Sequence, residues 1–375
     1  MRAQVLEAFN EPYRLRNIPP PASPAGQDLL IRVLAASYCH TDAVLATGSR
    51  WPELPRVGSH ELAGEIVEMG PEVSSSLKLK IGTKIGVPAR AYRPCGHCYE
   101  CQNTDGDIQG FSVYCPKAKH VGLSINGGFA DYCLVDSRQV VVVPEGLMAV
   151  EVAPLMCAGF TIWCALERAG IALEENEGVG RSVAIMGAGG GLGHLGVQFA
   201  AKLGCHVAAV EAADKPLALL RNIVGRLDSP TQDRVTVVDA RTQSAEEVRN
   251  QVCGEPKEGF EGESGIDAVL ILSDSQSAFD FGMKLLKNHS TCVVISFPKA
   301  GFCINAQDLI FRDIKIIGSL VGRIRQLQEM MSFVVRHDIR AQIRVHPLEK
   351  VNELVKDYHS GTGGKLVVDL SLSEG

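Results

Sequence analysis

The stretch Ser182-Val183-Ala184-Ile185-Met186-Gly187-Ala188-Gly189-Gly190-Gly191-Leu192-Gly193 decides the fold. A short apolar run empties directly into a turn made almost wholly of glycine. Leu192, Leu195, Gly196, Phe199, Ala200 and Leu203 then recur at the spacing of one helix face. A second apolar run, His206 to Val210, ends in Glu211, 18 residues after Gly193. Glycines at such a turn let the backbone bend sharply and approach a pyrophosphate, while the helix start offers free N–H donors. Glu211 is placed to accept hydrogen bonds from the adenosine ribose hydroxyls and to repel a 2′-phosphate, which favours NAD(H). Glycines alone could be only a tight connection; with the strand, the helix and the terminal acid they predict a dinucleotide site. Its candidate contacts are Gly187, Gly189, Gly190, Gly191, Leu192, Gly193 and Glu211. The spacing Gly187, Gly190, Gly193 departs from G-x-G-x-x-G, so the role of each glycine stays open.

Outward from this turn, further apolar runs at Val235–Val238, Ala268–Ile271 and Thr291–Ile295 are separated by helical periodicity. Strands apolar throughout and spaced by helices predict a parallel sheet covered on both faces. The first 150 or so residues differ. Leu29–Leu34, Gly64–Met69 and Lys84–Val87 are short runs with partial alternation, bounded by turns such as Asn126-Gly127-Gly128. They predict a compact β-rich domain. After Gly318 a helical segment leads to a strand-like Lys365–Asp369, and Glu255–Glu263 reads as an exposed loop. The fold class is α/β.

Cysteine and histidine fall into two groups. Cys39, His60 and Cys157 are spread over more than a hundred residues, whereas Cys95, Cys98 and Cys101 stand at two-residue gaps before Cys115. Zinc prefers thiolate and imidazole in a tetrahedral shell, closed by four protein ligands at structural sites and left open at catalytic ones. A four-cysteine cluster beside an open Cys/His/Cys set predicts an enzyme that uses zinc as a Lewis acid.

The 375 residues are 46% hydrophobic, enough for about two domains. Lys plus Arg number 37 against 43 Asp plus Glu, a mildly acidic balance that argues against a nucleic-acid partner. The N-terminus lacks the apolar core of a secretory signal, and no run reaches the roughly 18 apolar residues of a membrane span. Twelve cysteines then point to metal binding and reduced thiols in the cytosol, with no membrane association expected.

From Val5 to Asp369 the chain resembles the zinc-containing alcohol dehydrogenases of the medium-chain dehydrogenase/reductase superfamily, most closely their fungal and bacterial ethanol-dehydrogenase-like branch. The resemblance rests on Cys39-His40-Thr41-Asp42, on His60-Glu61-Leu62-Ala63-Gly64 running to Gly70, on the cysteine cluster, on Pro154-Leu155-Met156-Cys157-Ala158-Gly159 and on Gly187–Gly193. It implies a GroES-like catalytic domain over residues 1–158, a Rossmann coenzyme domain over 159–318, and a segment 319–375 that completes the first. The active site would lie in the cleft, with an alcohol or aldehyde as substrate and a homodimer or homotetramer as the assembly.

Residue by residue, the resemblance implies that Cys39, His60 and Cys157 hold a catalytic zinc and that Cys95, Cys98, Cys101 and Cys115 hold a structural one. Thr41 would pass the substrate proton outward, Asp42 would orient the ligand histidine, and Glu61 would stand by as a transient ligand. His40 and Lys365 would contact the cofactor pyrophosphate. The 13 residues between Cys101 and Cys115 exceed the family's usual gap, but a loop that starts and ends at one metal lengthens at small entropic cost. Val44 stands where the branch usually has a relay histidine, and Arg90 stands where an aromatic residue is common. With Arg90 and Trp51 as candidate substrate contacts, the expectation is a specialised dehydrogenase or aldehyde reductase of secondary metabolism, acting on a larger, polar or carboxylate-bearing substrate. The alternatives are a non-catalytic dinucleotide-binding protein that kept the fold, and a zinc-finger-like module built on Cys95–Cys115. A missing zinc ligand would favour the first; a basic, separable domain would favour the second.

Overall fold

The computed structural model describes residues 1–50, 53–88, 91–102, 112–174, 178–255, 257–259 and 261–372. Two compact units emerge: Met1–Phe160 with Val321–Ser360 and Lys365–Gly375, and Thr161–Leu320 with Gly361–Gly364. Both long boundaries fall two residues later than the sequence suggests, the first inside the helix Ala158–Arg168. Gly361–Gly364 groups with the second unit, where the Gly364 N–H donates to the Gly189 carbonyl at 3.2 Å.

The first unit is organised around the strand Asp28–Tyr38. Leu29, Ile31 and Val33 are buried at period two, the alternation of a sheet with one face on a core. This strand pairs antiparallel with Glu61–Met69, with Tyr132–Asp136 and with the C-terminal Lys365–Asp369. It runs longer than its apolar residues suggest. Ala35, Ala36, Ser37 and Tyr38 continue it because Lys365–Asp369 supplies a backbone partner for all four and Glu61–Met69 one for the first three. Small side chains also suit the tight layer beneath, where Ala35 packs with Ala153 and Val367. The main core gathers Leu6, Leu62, Ile66, Phe129 and Leu366; each large apolar side chain withdrawn from water there contributes about 1.5–3 kcal/mol.

The second unit carries a six-stranded parallel sheet in the order Val235–Asp239, His206–Glu211, Ser182–Met186, Ile266–Ile271, Leu286–Val294, Lys315–Gly318. Every residue of Ser182–Met186 is buried, as a strand covered on both faces requires. The chain leaves this strand first toward one edge and later returns on its other side, which opens a crevice beyond the strand ends. On one face lies the helix Gly193–Lys202, whose Phe199 meets Trp163 edge to face at 5.3 Å. Among the described residues, no single helix is long and apolar enough to cross a membrane.

Candidate functional site

In the first unit, the backbone N–H groups at the start of the short helix His40–Ala46 shape the site. Asp42, in its first turn, is fully buried and reaches back to accept from the Cys39 N–H at 3.0 Å. Its other oxygen accepts from the Ser59 N–H at 3.0 Å and lies 3.2 Å from His60 Nδ1. A buried carboxylate with three donors is well satisfied, and its bond to Nδ1 leaves Nε2 as the ring's free lone pair. That Nε2 is buried without a hydrogen-bond partner.

Ser59 sets the approach of His60. It adopts φ +68°, uncommon for a non-glycine residue, and its hydroxyl donates to the Ser37 carbonyl at 2.9 Å. The Ser59 carbonyl in turn accepts from the Gly128 N–H at 3.0 Å. A Cβ on Gly127 would lie 2.0 Å from that carbonyl, so the glycine turn read from the sequence is a steric condition of the site.

Sγ of Cys39, Sγ of Cys157, a ring nitrogen of His60 and a carboxylate oxygen of Glu61 all lie within 4.8 Å of one another. The Cys39 thiol is held well below the ordinary thiol range, first by a hydrogen bond from Cys157 and then by the charge of Lys365 and by His60. Cys157 moves the other way, so the two thiols share a proton. For His60, burial acts to lower the pKa, and Asp42 with Cys39 overrides it. Burial pushes the Glu61 carboxyl up to about 7 against the opposing charge of Lys365.

Lys365, expected beside a pyrophosphate, is buried against Glu61. Its Nζ lies 2.7 and 2.9 Å from the two carboxylate oxygens and donates to the Tyr38 carbonyl at 3.0 Å. Thr41 Oγ1 lies 3.9 Å from the Cys39 sulfur. His40 Nδ1 lies 2.9 Å from the Tyr358 hydroxyl, and the Tyr358 ring stands edge-on to Tyr38 at 5.1 Å.

Cys95, Cys98, Cys101 and Cys115 also bring their sulfurs within 4.8 Å of one another. Cys115 lies 3.7 Å from Cys95 and 3.9 Å from Cys98. A tetrahedron with Zn–S of about 2.3 Å has edges of about 3.8 Å, so this spacing fits a closed zinc shell. The first cluster fits by its donors: two thiols, an unpartnered buried imidazole nitrogen and a carboxylate suit zinc. Both are candidate zinc sites.

At the glycine turn of the second unit, Gly187 has φ +87° and makes the bend. Gly193 opens the helix where a Cβ would lie 2.3 Å from the Gly187 carbonyl. Gly187 thus serves the turn and Gly193 the close packing of helix on strand, which orders two roles the sequence leaves open. Gly190 and Gly191 stand between them. Leu192, the residue before the helix, has helical angles. Glu211 accepts from the Gly189 N–H at 3.1 Å and the Ala212 N–H at 2.8 Å, which fixes its carboxylate beside the turn.

Three positioning residues escape sequence reasoning. His194 is fully buried in the first helical turn, with Nδ1 2.8 Å from the Gly190 carbonyl. Ser59 and Tyr358 likewise act through backbone and hydroxyl contacts. A histidine inside an otherwise apolar helix face is a signal for the first; no local pattern marks the other two. Arg90, Trp51 and residues 103–111 of the lengthened cysteine gap lie outside the described residues.

Residues 25–145 match the family model for the alcohol dehydrogenase GroES-like domain, and residues 191–336 match that for zinc-binding dehydrogenases. An alcohol dehydrogenase of Geobacillus stearothermophilus is 32% identical over 94% of this chain and 95% of its own. One from a Moraxella strain is 30% identical over 99% of this chain and all of its own. Among solved structures, the alcohol dehydrogenase of Aeropyrum pernix superposes with a TM-score of 0.81 at 25% identity, covering 98% of this chain and 100% of that one.

Proposed function

The chain belongs to the zinc-type alcohol dehydrogenases of the medium-chain superfamily, and from that premise we propose that it passes a hydride between an alcohol/aldehyde pair and NAD(H) at the Cys39–His60–Cys157 cluster. The observation that carries this reading is the unpartnered Nε2 of His60, set among two thiols and a carboxylate while Asp42 holds the other ring nitrogen. Zinc bound there would supply Lewis acidity toward the substrate oxygen, and the nicotinamide would carry the hydride.

Cys39, His60 and Cys157 would hold that metal, with Glu61 as the further donor at hand. Asp42 keeps His60 in the ligating tautomer. Lys365 ties Glu61 back and balances the charge of the thiolates. Thr41 Oγ1, beside the Cys39 sulfur, takes the substrate's hydroxyl proton. Val44, on the same helix, has no group to receive it, so the relay ends in water. The four-cysteine cluster would hold a second zinc, which would brace its own lobe. With every ligand of both sets in place, a non-catalytic relic of the fold is not the reading we adopt.

Glu211 supports NAD(H) over NADP(H), because a carboxylate at this strand end meets a ribose diol well and a phosphate badly. Arg241, a basic side chain of the same unit, is tied to Asp239 at 2.8 Å and Asp214 at 2.6 Å. We place His40 at the pyrophosphate. Arg90 and Trp51 we assign to the substrate, with Arg90 pairing a carboxylate. Cluster chemistry of this kind calls for reduced thiols and hence for the cytosol.

A homo-oligomer is supported by the second unit's edge. Lys315–Gly318 is the last strand of its sheet, and the preceding helix Ala306–Phe311 exposes Ile310 and Phe311. An apolar patch beside an open strand edge suits a second copy of the chain.

Metal analysis and a turnover assay with both cofactors test the reading. Zinc in both clusters and greater catalytic efficiency with NAD(H) are expected. Zinc-free active protein, or a preference for NADP(H), would overturn it.

A further inference from the structure

Of the two side chains expected at the pyrophosphate, one is engaged elsewhere. Lys365 is buried, with its ammonium on Glu61 and on the Tyr38 carbonyl. That leaves His40, an exposed side chain at the first position of its helix. Whatever holds its ring bears on cofactor affinity, because an unrestrained side chain must be ordered when the ligand arrives.

The holder is Tyr358. Its hydroxyl lies 2.9 Å from His40 Nδ1, although the two residues are 318 apart in sequence. The tyrosine ring stands edge-on to buried Tyr38 at 5.1 Å, and Tyr38 is stacked on the fully buried Phe129 with centroids 6.4 Å apart. The helix Val351–His359 that carries Tyr358 is itself rooted by Val351 and Leu354, both fully buried. An aromatic column fixed in the core thus presents one hydroxyl to a surface imidazole.

The contact settles chemistry as well as position. A neutral imidazole carries one proton, and the hydrogen bond made at one nitrogen decides which nitrogen bears it. The oxygens of a pyrophosphate only accept, so the ring must offer them an N–H. When the Tyr358 O–H donates to Nδ1, the ring proton sits on Nε2, and His40 is a donor without having to be charged. The other tautomer would spend the N–H on Tyr358 and turn a bare lone pair toward the anion.

We propose that Tyr358 is a positioning residue for the dinucleotide: its hydroxyl holds His40 by Nδ1 in the tautomer whose Nε2–H serves the pyrophosphate. The proposal rests on the hydride-transfer reading, in which His40 meets that group.

The test begins with nitrogen-15 NMR of histidine-labelled, zinc-loaded protein without cofactor, at a pH well above the ordinary imidazole value of about 6.5. His40 should be protonated at Nε2 and bare at Nδ1. Tyr358→Phe keeps the ring contacts and removes the hydroxyl, so the Nδ1 resonance should move toward that of an unbonded imidazole. The NADH dissociation constant of this variant, read by fluorescence titration, should rise about three- to tenfold, the effect of one lost hydrogen bond. In a His40→Ala background the same change should add less than about twofold, whereas a merely structural loss would carry over in full. A proton on Nδ1 in the parent, equal effects in the two backgrounds, or a Tyr358→Phe variant that binds NADH like the parent would each overturn the proposal and leave the hydride-transfer reading standing. A parent that binds no NADH would remove both.

Discussion

Lys365 Nζ lies 2.7 Å from one carboxylate oxygen of Glu61 and 2.9 Å from the other, with both side chains buried. The partners are 304 residues apart in sequence. Each charge is tolerable in the interior because of the other, and the Tyr38 carbonyl takes a further ammonium proton.

Lys365→Met therefore leaves Glu61 as an uncompensated buried carboxylate. A loss of about 3–5 kcal/mol in unfolding free energy is expected from denaturant titration. The double variant Lys365→Met with Glu61→Gln should recover most of it. If the double variant is as unstable as the single, the pair is not the source.

Asp42→Asn removes the acceptor that orients His60. Zinc affinity, measured by chelator competition, should fall about 10- to 100-fold while the fold survives. An Asp42→Asn variant that holds zinc like the parent would deny Asp42 its orienting part.

Cys157→Ser and Cys98→Ser should part company. Each should lose one of the two cluster metals. Cys157→Ser should lose turnover at nearly unchanged stability, whereas Cys98→Ser should unfold at lower denaturant, because its lobe folds on its metal. Equal stability of the two proteins would count against a structural zinc.

His194→Ala removes the side-chain partner of the Gly190 carbonyl, which keeps only the His194 backbone N–H, and loosens the turn. The NADH dissociation constant, read by fluorescence titration, should rise about tenfold, beside the stability cost of truncating a buried side chain. His194→Asn carries an amide donor at similar reach and should restore part of the affinity. An alanine variant with parental affinity would reduce His194 to packing.

Asp267 provides a pH signature. Burial acts to raise its pKa, but Lys287 at 2.7 Å and hydrogen bonds from Ser182 outweigh it, so the net shift is downward. As acid is added, the unfolded chain takes up this proton first, near the ordinary value of about 3.9. The contribution is thus whole above that pH and drains as pH falls through the lower folded value. Asp267→Asn should be less stable than the parent at neutral pH, with the gap in urea midpoints closing toward acid. A gap that widens in acid would contradict the assignment.

Much of this was legible in the chain. Ser182–Met186, Lys84–Val87 and Lys365–Asp369 coincide with the runs read from the sequence, since each is centred on apolar residues that the core buries. Leu286–Val294 was half hidden. Its Lys287, Asn288 and His289 look like loop, and the strand absorbs them at a register shift opposite Ile266 and Ala268. In the site, the candidate metal ligands announce themselves by residue type. The burial of Lys365 does not, because it follows from a strand pairing between distant segments that no local pattern encodes.

That pairing has a consequence for assembly. The Cys39–His60–Glu61–Cys157 cluster draws its residues from early in the chain, but the counter-charge for its carboxylate arrives on the strand Lys365–Asp369. During synthesis the ribosome releases that strand after every other part of the sheet, and the parallel-sheet unit has emerged whole in the meantime. Until then Glu61 is a carboxylate awaiting its partner, and Ala35–Tyr38 is an unpaired strand edge. The half-made protein is thus a folded coenzyme unit tethered to an open, sticky sheet. The last strand is the one that shuts it.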